Sequence, residues 1–319
     1  MSPALLAAIT GGGFAAAMYL TVLTGITGGM VLVYFAPLPL FLAGLAFGPY
    51  PGMVASGLAV LLVFGIGGGF VLPLTFLVFS VVPTLVLGRK VHMSRQRADG
   101  GVEWYPAGLL LLTLTGIGGV AILVAAVLAA VFGGDGGLKG LTHALLVANL
   151  TELFSVMSPT TANPGASVAE SIAQVFPGVV TVSWLLMVVA NGLLAQALLV
   201  RFNRLMRPAL RMTELELPGW TPLLLSVSML GAMILEGEAG FLLTNLTIVL
   251  AVPFFFSGLA VIHAFAAVRS SKVTILVGFY LLLSFLAWPV VAVIGLGIIE
   301  QWAGLRGRFV AARPDRGEA

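Results

Sequence analysis

Nine apolar runs, each about as long as a bilayer is thick, leave this chain few ways to fold. A transmembrane helix needs ~20 predominantly apolar residues, and such runs fall near residues 4–23, 29–48, 51–68, 69–88, 105–133, 177–200, 219–235, 240–268 and 273–300. The first four are joined by almost uncharged turns. In hydrocarbon every backbone N–H and C=O must be satisfied within the protein, so such runs become helices. The expected fold is all-α: a polytopic transmembrane helical bundle of eight or nine spans, forming one integral membrane domain over 1–319. Within it, 1–88 is a four-span N-terminal bundle, 134–176 an extracytoplasmic amphipathic segment, and 301–319 a polar C-terminal tail. Composition agrees, since 60% of the residues are hydrophobic and 8% charged, with a mean hydropathy of +1.12, far outside soluble averages. The first run, MSPALLAAITGGGFAAAMYL, lacks the basic start of a secretory signal and further runs follow at once, so it reads as a retained helix.

Basic residues orient the spans. The loop GRKVHMSRQR carries Arg89, Lys90, Arg95 and Arg97; VRFNRLMRPALR carries Arg201, Arg204, Arg207 and Arg211; Arg269 and Lys272 follow the eighth run. The positive-inside rule assigns these loops to the cytoplasm. With four spans before the first loop, the N-terminus is expected there too. The net charge of +3 therefore belongs to membrane orientation, and nucleic acid is set aside as a partner. Arg306, Arg308, Arg313 and Arg316 spoil the pattern if the ninth run crosses once, so one late segment is expected to be broken or re-entrant. Pro253 and the Trp288–Pro289 step are the candidate breaks, because proline removes a backbone donor and biases the residue before it away from helix.

The stretch YFAPLPLFLAGLAFGPYPG, residues 34–52, holds four prolines. Pro37 and Pro39 would free backbone carbonyls, which must find protein or water, so a bend is expected there. Gly44, Gly48 and Gly52 fall at i, i+4 and i+8, on one face of a continuing helix, where small residues let another backbone approach. The first span repeats the device with Ala7, Gly11 and Ala15 on one stripe and Ala8, Gly12 and Ala16 beside it. Such faces suit close contacts within the chain or with a partner.

Between residues 134 and 176 lie GGDGG, the mildly amphipathic LKGLTHALLVANLTELF, the loop SPTTANPGAS and the short helix VAESIAQVF. Ser167 and Glu170 have capping-box spacing. The segment reads either as a lid over an outward-facing cavity or as an interfacial connector.

Polar groups inside the runs are few: Tyr19, Tyr34, Asn191, Gln196, Thr244, Asn245, His263 and Tyr280. None of the twelve acidic residues lies mid-span, which argues against a proton-relay pump. Tyr34, Asn191, Asn245 and His263 are the candidate contacts for a small uncharged or zwitterionic molecule, with helix-to-helix hydrogen bonding as the plainer role of His263 and Asn245. Cysteine is absent, which excludes disulfides and thiolate chemistry. His92, His143 and His263 are dispersed without metal spacing, so no metal or other cofactor is expected. GxSxG and HExxH are lacking, and the GIGGGF run lacks a phosphate-loop lysine and reads as a tight turn. The chain is not expected to be an enzyme.

PLPLFLAGLAFG followed by PGMVASGLAVLL, then FPGVVTVSWLLMVVANGLLAQALLVR, FFFSGLAVIHAF and IGLGIIEQWAGLRGRF, resembles the YybS-like family, uncharacterised bacterial membrane proteins built on a domain of unknown function. The likeness covers most of the chain. That family is similar to the substrate-binding S components of energy-coupling-factor vitamin transporters, helical bundles that bind small molecules from outside. The resemblance implies a transmembrane coupling subunit and an ATPase as partners, with Ala7, Gly11 and Ala15 matching the stripe that packs on the coupling subunit. The alternative is a scaffold or assembly protein of the envelope.

Overall fold

The computed structural model describes residues 1–133, 136–157 and 165–311. Among these, seven helices are long and apolar enough to cross a membrane, and Thr221–Ile234, Lys272–Phe285 and Trp288–Ala303 are shorter apolar helices. The architecture is the expected all-α polytopic bundle, consistent with eight or nine spans. The chain divides into two compact units, Met1–Pro106 with Ser183–Leu210, and Ala107–Val182 with Arg211–Ala319.

The first unit opens with α1 (Pro3–Leu20), α2 (Thr27–Tyr34), α3 (Pro37–Phe47) and α4 (Pro49–Gly67). Next come α5 (Val71–Phe76), a π turn over Leu77–Val81, and α6 (Val82–Val91). Ser2 caps α1 by accepting from the Leu5 amide at 3.3 Å. The core of this unit is built from small side chains, among them Ala8, Ala15, Ala16, Ala43, Ala55 and Ala59, so helix backbones lie close. A side chain at Gly12 would meet the Ala55 carbonyl at 2.5 Å, and one at Gly11 the Pro39 carbonyl at 3.0 Å. Both small-residue stripes of α1 are thus filled by the chain's own α4 and α3. Tyr19 closes the far end, its hydroxyl 2.6 Å from Thr75 Oγ1 and its ring packed on Phe76.

Gly44, Gly48 and Gly52 do not share one helix face. Gly48 adopts φ +96°, a conformation open to glycine at little cost, and Pro49 restarts the helix in the position where proline is favoured. The chain turns a corner there, and Gly44 and Gly52 meet across it, a Cβ on Gly52 lying 3.0 Å from the Gly44 Cα. The glycine-rich run near residues 65–70 is the expected tight turn, with Gly68 at φ +71°.

The first basic loop holds an unforeseen antiparallel hairpin of β1 (Ser94–Gln96) and β2 (Val102–Trp104). Glu103 bonds Arg95 at 2.8 Å, a contact that lowers the Glu103 pKa and raises that of Arg95. The second basic loop ties back here. Arg207 Nη1 donates to the carbonyls of Val91 and Tyr105, its guanidinium stacks over Trp104 at 5.5 Å, and burial lowers its pKa.

The second unit contains α7 (Ala107–Phe132), α8 (Gly137–Met157) and α9 (Gly165–Ala173). The long helix α10 (Phe176–Arg201) begins in this unit and ends in the first. Then follow α11 (Thr221–Ile234), α12 (Gly237–Leu250), α13 (Val252–Ala267), α14 (Lys272–Phe285), α15 (Trp288–Ala303) and α16 (Leu305–Ala311). The 134–176 segment supplies α8 and α9; its residues 134–135 and most of SPTTANPGAS lie outside the described residues. Because α9 begins at Gly165, Ser167 sits inside its first turn and is not the cap expected from the spacing. The start of α8 is capped from afar instead, where the Glu238 carboxylate accepts from the amides of Leu138 and Lys139 at 2.9 and 3.1 Å.

In this unit α13 and α15 approach each other closely. A Cβ on Gly258 would collide with the Val293 carbonyl, and one on Gly297 with the Phe254 carbonyl, so these two helices pack backbone on backbone. Glu300 at the end of α15 pairs with Arg306 at 2.7 Å and accepts from the Leu305 amide at 2.7 Å, fixing the turn into α16.

Candidate functional site

Prolines in this chain open two gaps in the first unit, and α10 fills both. Pro37 and Pro39 bring no amide hydrogen, so the backbone tightens: the Ala36 amide reaches the Val33 carbonyl, and the Leu38 amide the Phe35 carbonyl. Leu38 is then no longer available to Tyr34, whose carbonyl would be orphaned. Asn191 Nδ2 supplies the missing donor at 2.8 Å and also bonds the Met187 carbonyl. The second gap follows Pro83, which cannot pair with the carbonyl four residues earlier, that of Phe79. Trp184 Nε1 donates there at 2.7 Å, with the two aromatic rings edge to face. Positions 184 and 191 are two helical turns apart, on one face of α10. Sequence reasoning found Asn191 but missed Trp184, although the seven-residue spacing of two donors on an apolar helix was the available signal.

Asn245 does comparable work in the second unit. It is fully buried, donates to the carbonyls of Gln174 and Phe241, and accepts from the Gly178 amide at 2.7 Å. One amide side chain thereby joins the exit of α9, the entry of α10 and α12. Its hydrogen-bonding groups are engaged, and those of Asn191 are engaged except for a buried Oδ1. Tyr34 is exposed and meets Asn191 only through its backbone.

His263 behaves differently. Its Nδ1 is held by the Leu259 carbonyl at 2.9 Å, which leaves Nε2 as an acceptor facing the Tyr280 hydroxyl at 3.5 Å. Of the four candidate residues, Tyr34 and Asn191 belong to the first unit, Asn245 and His263 to the second.

In the second unit Pro253 and Pro289 sit at helix starts. The run Gly237–Ala267 is interrupted at Ala251, and Pro253 takes the second position of α13. The last apolar run breaks at Leu286 and Ala287, and Pro289 takes the second position of α15. Proline costs little there, since the first helical amides have no intrahelical partner.

A cleft of about 220 Å³ lies in the first unit, between the Gly48 corner and α6. Leu40, Phe41, Met53, Leu85 and Val86 give it apolar walls, and Thr84 and Arg89 are among its lining. No group of three or more His, Cys, Asp or Glu that could hold a metal ion occurs among the described residues.

The DUF2232 family, described as a predicted membrane protein, matches residues 13–299. The chain belongs to that family. The match runs from within α1 to near the end of α15, so both units are family structure and the protein is a multi-pass membrane protein. No curated protein and no solved structure matches the chain. The two late interruptions, at Ala251 and at 286–287, fall inside the family region.

Proposed function

We propose that this member of the family is a small-solute-binding subunit of a membrane transport system, similar in role to energy-coupling-factor S components. The observation that carries this reading is the interrupted pair α14 and α15. At ~1.5 Å per residue their 14 and 16 residues reach about 21 and 24 Å, short of a ~30 Å hydrocarbon core. Broken helices at membrane depth are tolerated where they are buried in protein or line a water-filled cavity, and short or proline-interrupted segments are the usual pointer to a transporter's binding site. His263 on α13 and Tyr280 on α14 offer a polar pair, with an imidazole acceptor and a phenolic hydroxyl facing each other. A re-entrant α14–α15 pair also returns Arg306 and Arg308 to the side of Arg269 and Lys272, in keeping with the charge rule and with a cytoplasmic N-terminus in an inner membrane.

Partners follow from the same reading. Gly11, at the middle of the Ala7–Gly11–Ala15 stripe, faces the chain's own α3, so a coupling subunit and its ATPase would engage another surface. The envelope-scaffold alternative draws less support, because the glycines at 11, 12, 258 and 297 are occupied by contacts inside the chain.

The chain has no cysteine, so Ala287→Cys gives a single reporter at the interruption. A water-soluble maleimide should label it in membranes, and mass spectrometry of the purified protein should find a non-lipid small molecule that His263→Ala loses. An unreactive position 287, in a protein that carries no such molecule, would sink the solute-binding reading and favour the scaffold.

A further inference from the structure

We propose that the cleft between the Gly48 corner and α6 holds one acyl chain of an anionic phospholipid, with the lipid phosphate at Arg89. This inference stands apart from the solute-binding reading, which concerns α12–α15. The shape of the cleft comes from glycine: Gly44 and Gly52 form part of the lining and contribute no side chain, leaving a trough between Leu40, Phe41 and Met53 on one side and Leu85 and Val86 on the other. Its volume of about 220 Å³ falls below the ~300–1,000 Å³ of pockets that enclose a whole small ligand. It suits a segment of chain entering from outside. Thr84 adds little polarity, because its hydroxyl donates to the Ser80 carbonyl at 2.6 Å.

Charge then selects the kind of lipid. Of the described residues lining the cleft, Arg89 alone is charged. It is exposed and makes no ion pair with a described residue. Its neighbours are committed elsewhere: Lys90 to the Tyr105 hydroxyl at 3.0 Å, and Arg207 to the backbone carbonyls of Val91 and Tyr105. The N-terminus of α4 opens on the same cleft through Pro49 and Gly52, and the positive end of a helix dipole favours an anion. Pro49 and Pro51 remove two of the amide hydrogens that would otherwise clamp a phosphate. The mouth therefore attracts negative charge without closing on it, as an exchangeable lipid requires.

Arg89 ends a membrane span, at headgroup depth. The charge rule assigns this end to the cytoplasmic leaflet, where anionic lipids concentrate and one basic residue gives a preference of about five-fold. A soluble anion would gain the guanidinium but leave the apolar trough empty, whereas a zwitterionic lipid would fill the trough and carry its own cation to Arg89. An anionic phospholipid satisfies both parts.

The test uses the full chain in phosphatidylcholine vesicles containing phosphatidylglycerol as the minor lipid, with retained lipid counted by native mass spectrometry. Wild-type protein should keep phosphatidylglycerol in excess of its share. Arg89→Gln should reduce that excess about five-fold, while Arg97→Gln, at a residue outside the cleft, should leave it unchanged. Val86→Trp, which fills the trough and spares Arg89, should release the lipid; Met53→Trp at the exposed rim makes the same test if the first variant does not fold. Equal retention of the two lipids by wild type overturns the proposal. So does an equal loss in Arg89→Gln and Arg97→Gln, which would mean a diffuse basic surface. Displacement by glycerol phosphate as effective as that by intact phosphatidylglycerol would make the site one for a soluble anion and overturn it too.

Discussion

Both units place prolines at or near helix starts, but the first also draws side chains from a distant helix to the carbonyls that its prolines leave open. In the first, the polypeptide continues past Pro37, Pro39 and Pro83, and side chains of α10 repair the damage: Asn191 at the Tyr34 carbonyl and Trp184 at the Phe79 carbonyl. In the second, the helix stops before Pro253 and Pro289 and starts again, with each proline at the second position of the new helix. Packing differs to match. Alanine and glycine let α1, α3 and α4 approach in the first unit, but the second brings α13 and α15 into backbone contact at Gly258 and Gly297. Both units use side-chain amides and close glycine contacts, but serving a carbonyl opened by proline is the work of α10 in the first, while the tighter glycine contact is that of α13 with α15 in the second.

The contrast breaks most easily at Gly297. A methyl group there would occupy the space of the Phe254 carbonyl, and neither backbone can yield without parting the helices. Gly297→Ala should cost more than about 3 kcal/mol, at the upper end of overpacking effects, and the loss should be read as thermal stability in detergent. Gly44→Ala, whose new carbon would lie 3.8 Å from the Gly52 Cα, serves as the mild comparison. Equal effects from the two variants would remove the distinction between the units.

The repair by α10 can be tested next. Trp184→Phe keeps a ring against Phe79 but deletes the donor, and should destabilise the first unit by about 1–2 kcal/mol. Pro83→Ala returns an amide hydrogen that can serve the Phe79 carbonyl, so in the Trp184→Phe background it should recover part of the loss. Pro289→Ala should change stability little, because a proline at a helix start forgoes no intrahelical bond. A Pro83→Ala change that deepens the Trp184→Phe defect would show that the gap is a packing feature and not a hydrogen-bonding one.

Much of this was legible in the sequence, and the parts that were not share a cause. Apolar run length announced the helices, and proline with small-residue spacing marked where they bend and meet. Periodicity gives a helix face, however, and not its partner: the Gly11 stripe looked equally suited to another subunit until Pro39 and Ala43 proved to lie against it. Gly48 misled because proline is as compatible with a helix start as with a loop, and only the bias of the residue before it against helix hinted at the corner. Glu238 was invisible as a cap, since it acts on α8 across about a hundred residues of chain. In the sequence His263 stood out without Tyr280 as its counterpart, because residues 17 apart on two helices carry no shared pattern.

The smallest effect expected is at the hairpin of the first unit. The Arg95 contact lowers the Glu103 pKa relative to an ordinary carboxylate, so its stabilisation is present above the unfolded-state pKa and disappears as pH falls through the lowered folded value. Amide exchange at Gln96 and Val102 should speed up over that acidic window, and Glu103→Gln should abolish the pH dependence without unfolding the helices. A hairpin whose exchange is flat through the window would show that Trp104 stacking alone holds it.

The bond between Asn191 and Tyr34 also sets a clock. The two residues are 157 apart in sequence, and at translation rates of roughly 5–20 residues per second the donor leaves the ribosome about 8–30 s after the carbonyl it serves. Through that interval the second span has an open carbonyl that hydrocarbon would penalise by several kcal/mol. The early part of the chain must therefore wait in a wet or protein-lined place while the rest is made, and nascent chains stalled before and after residue 191 should differ in how deeply position 34 has settled.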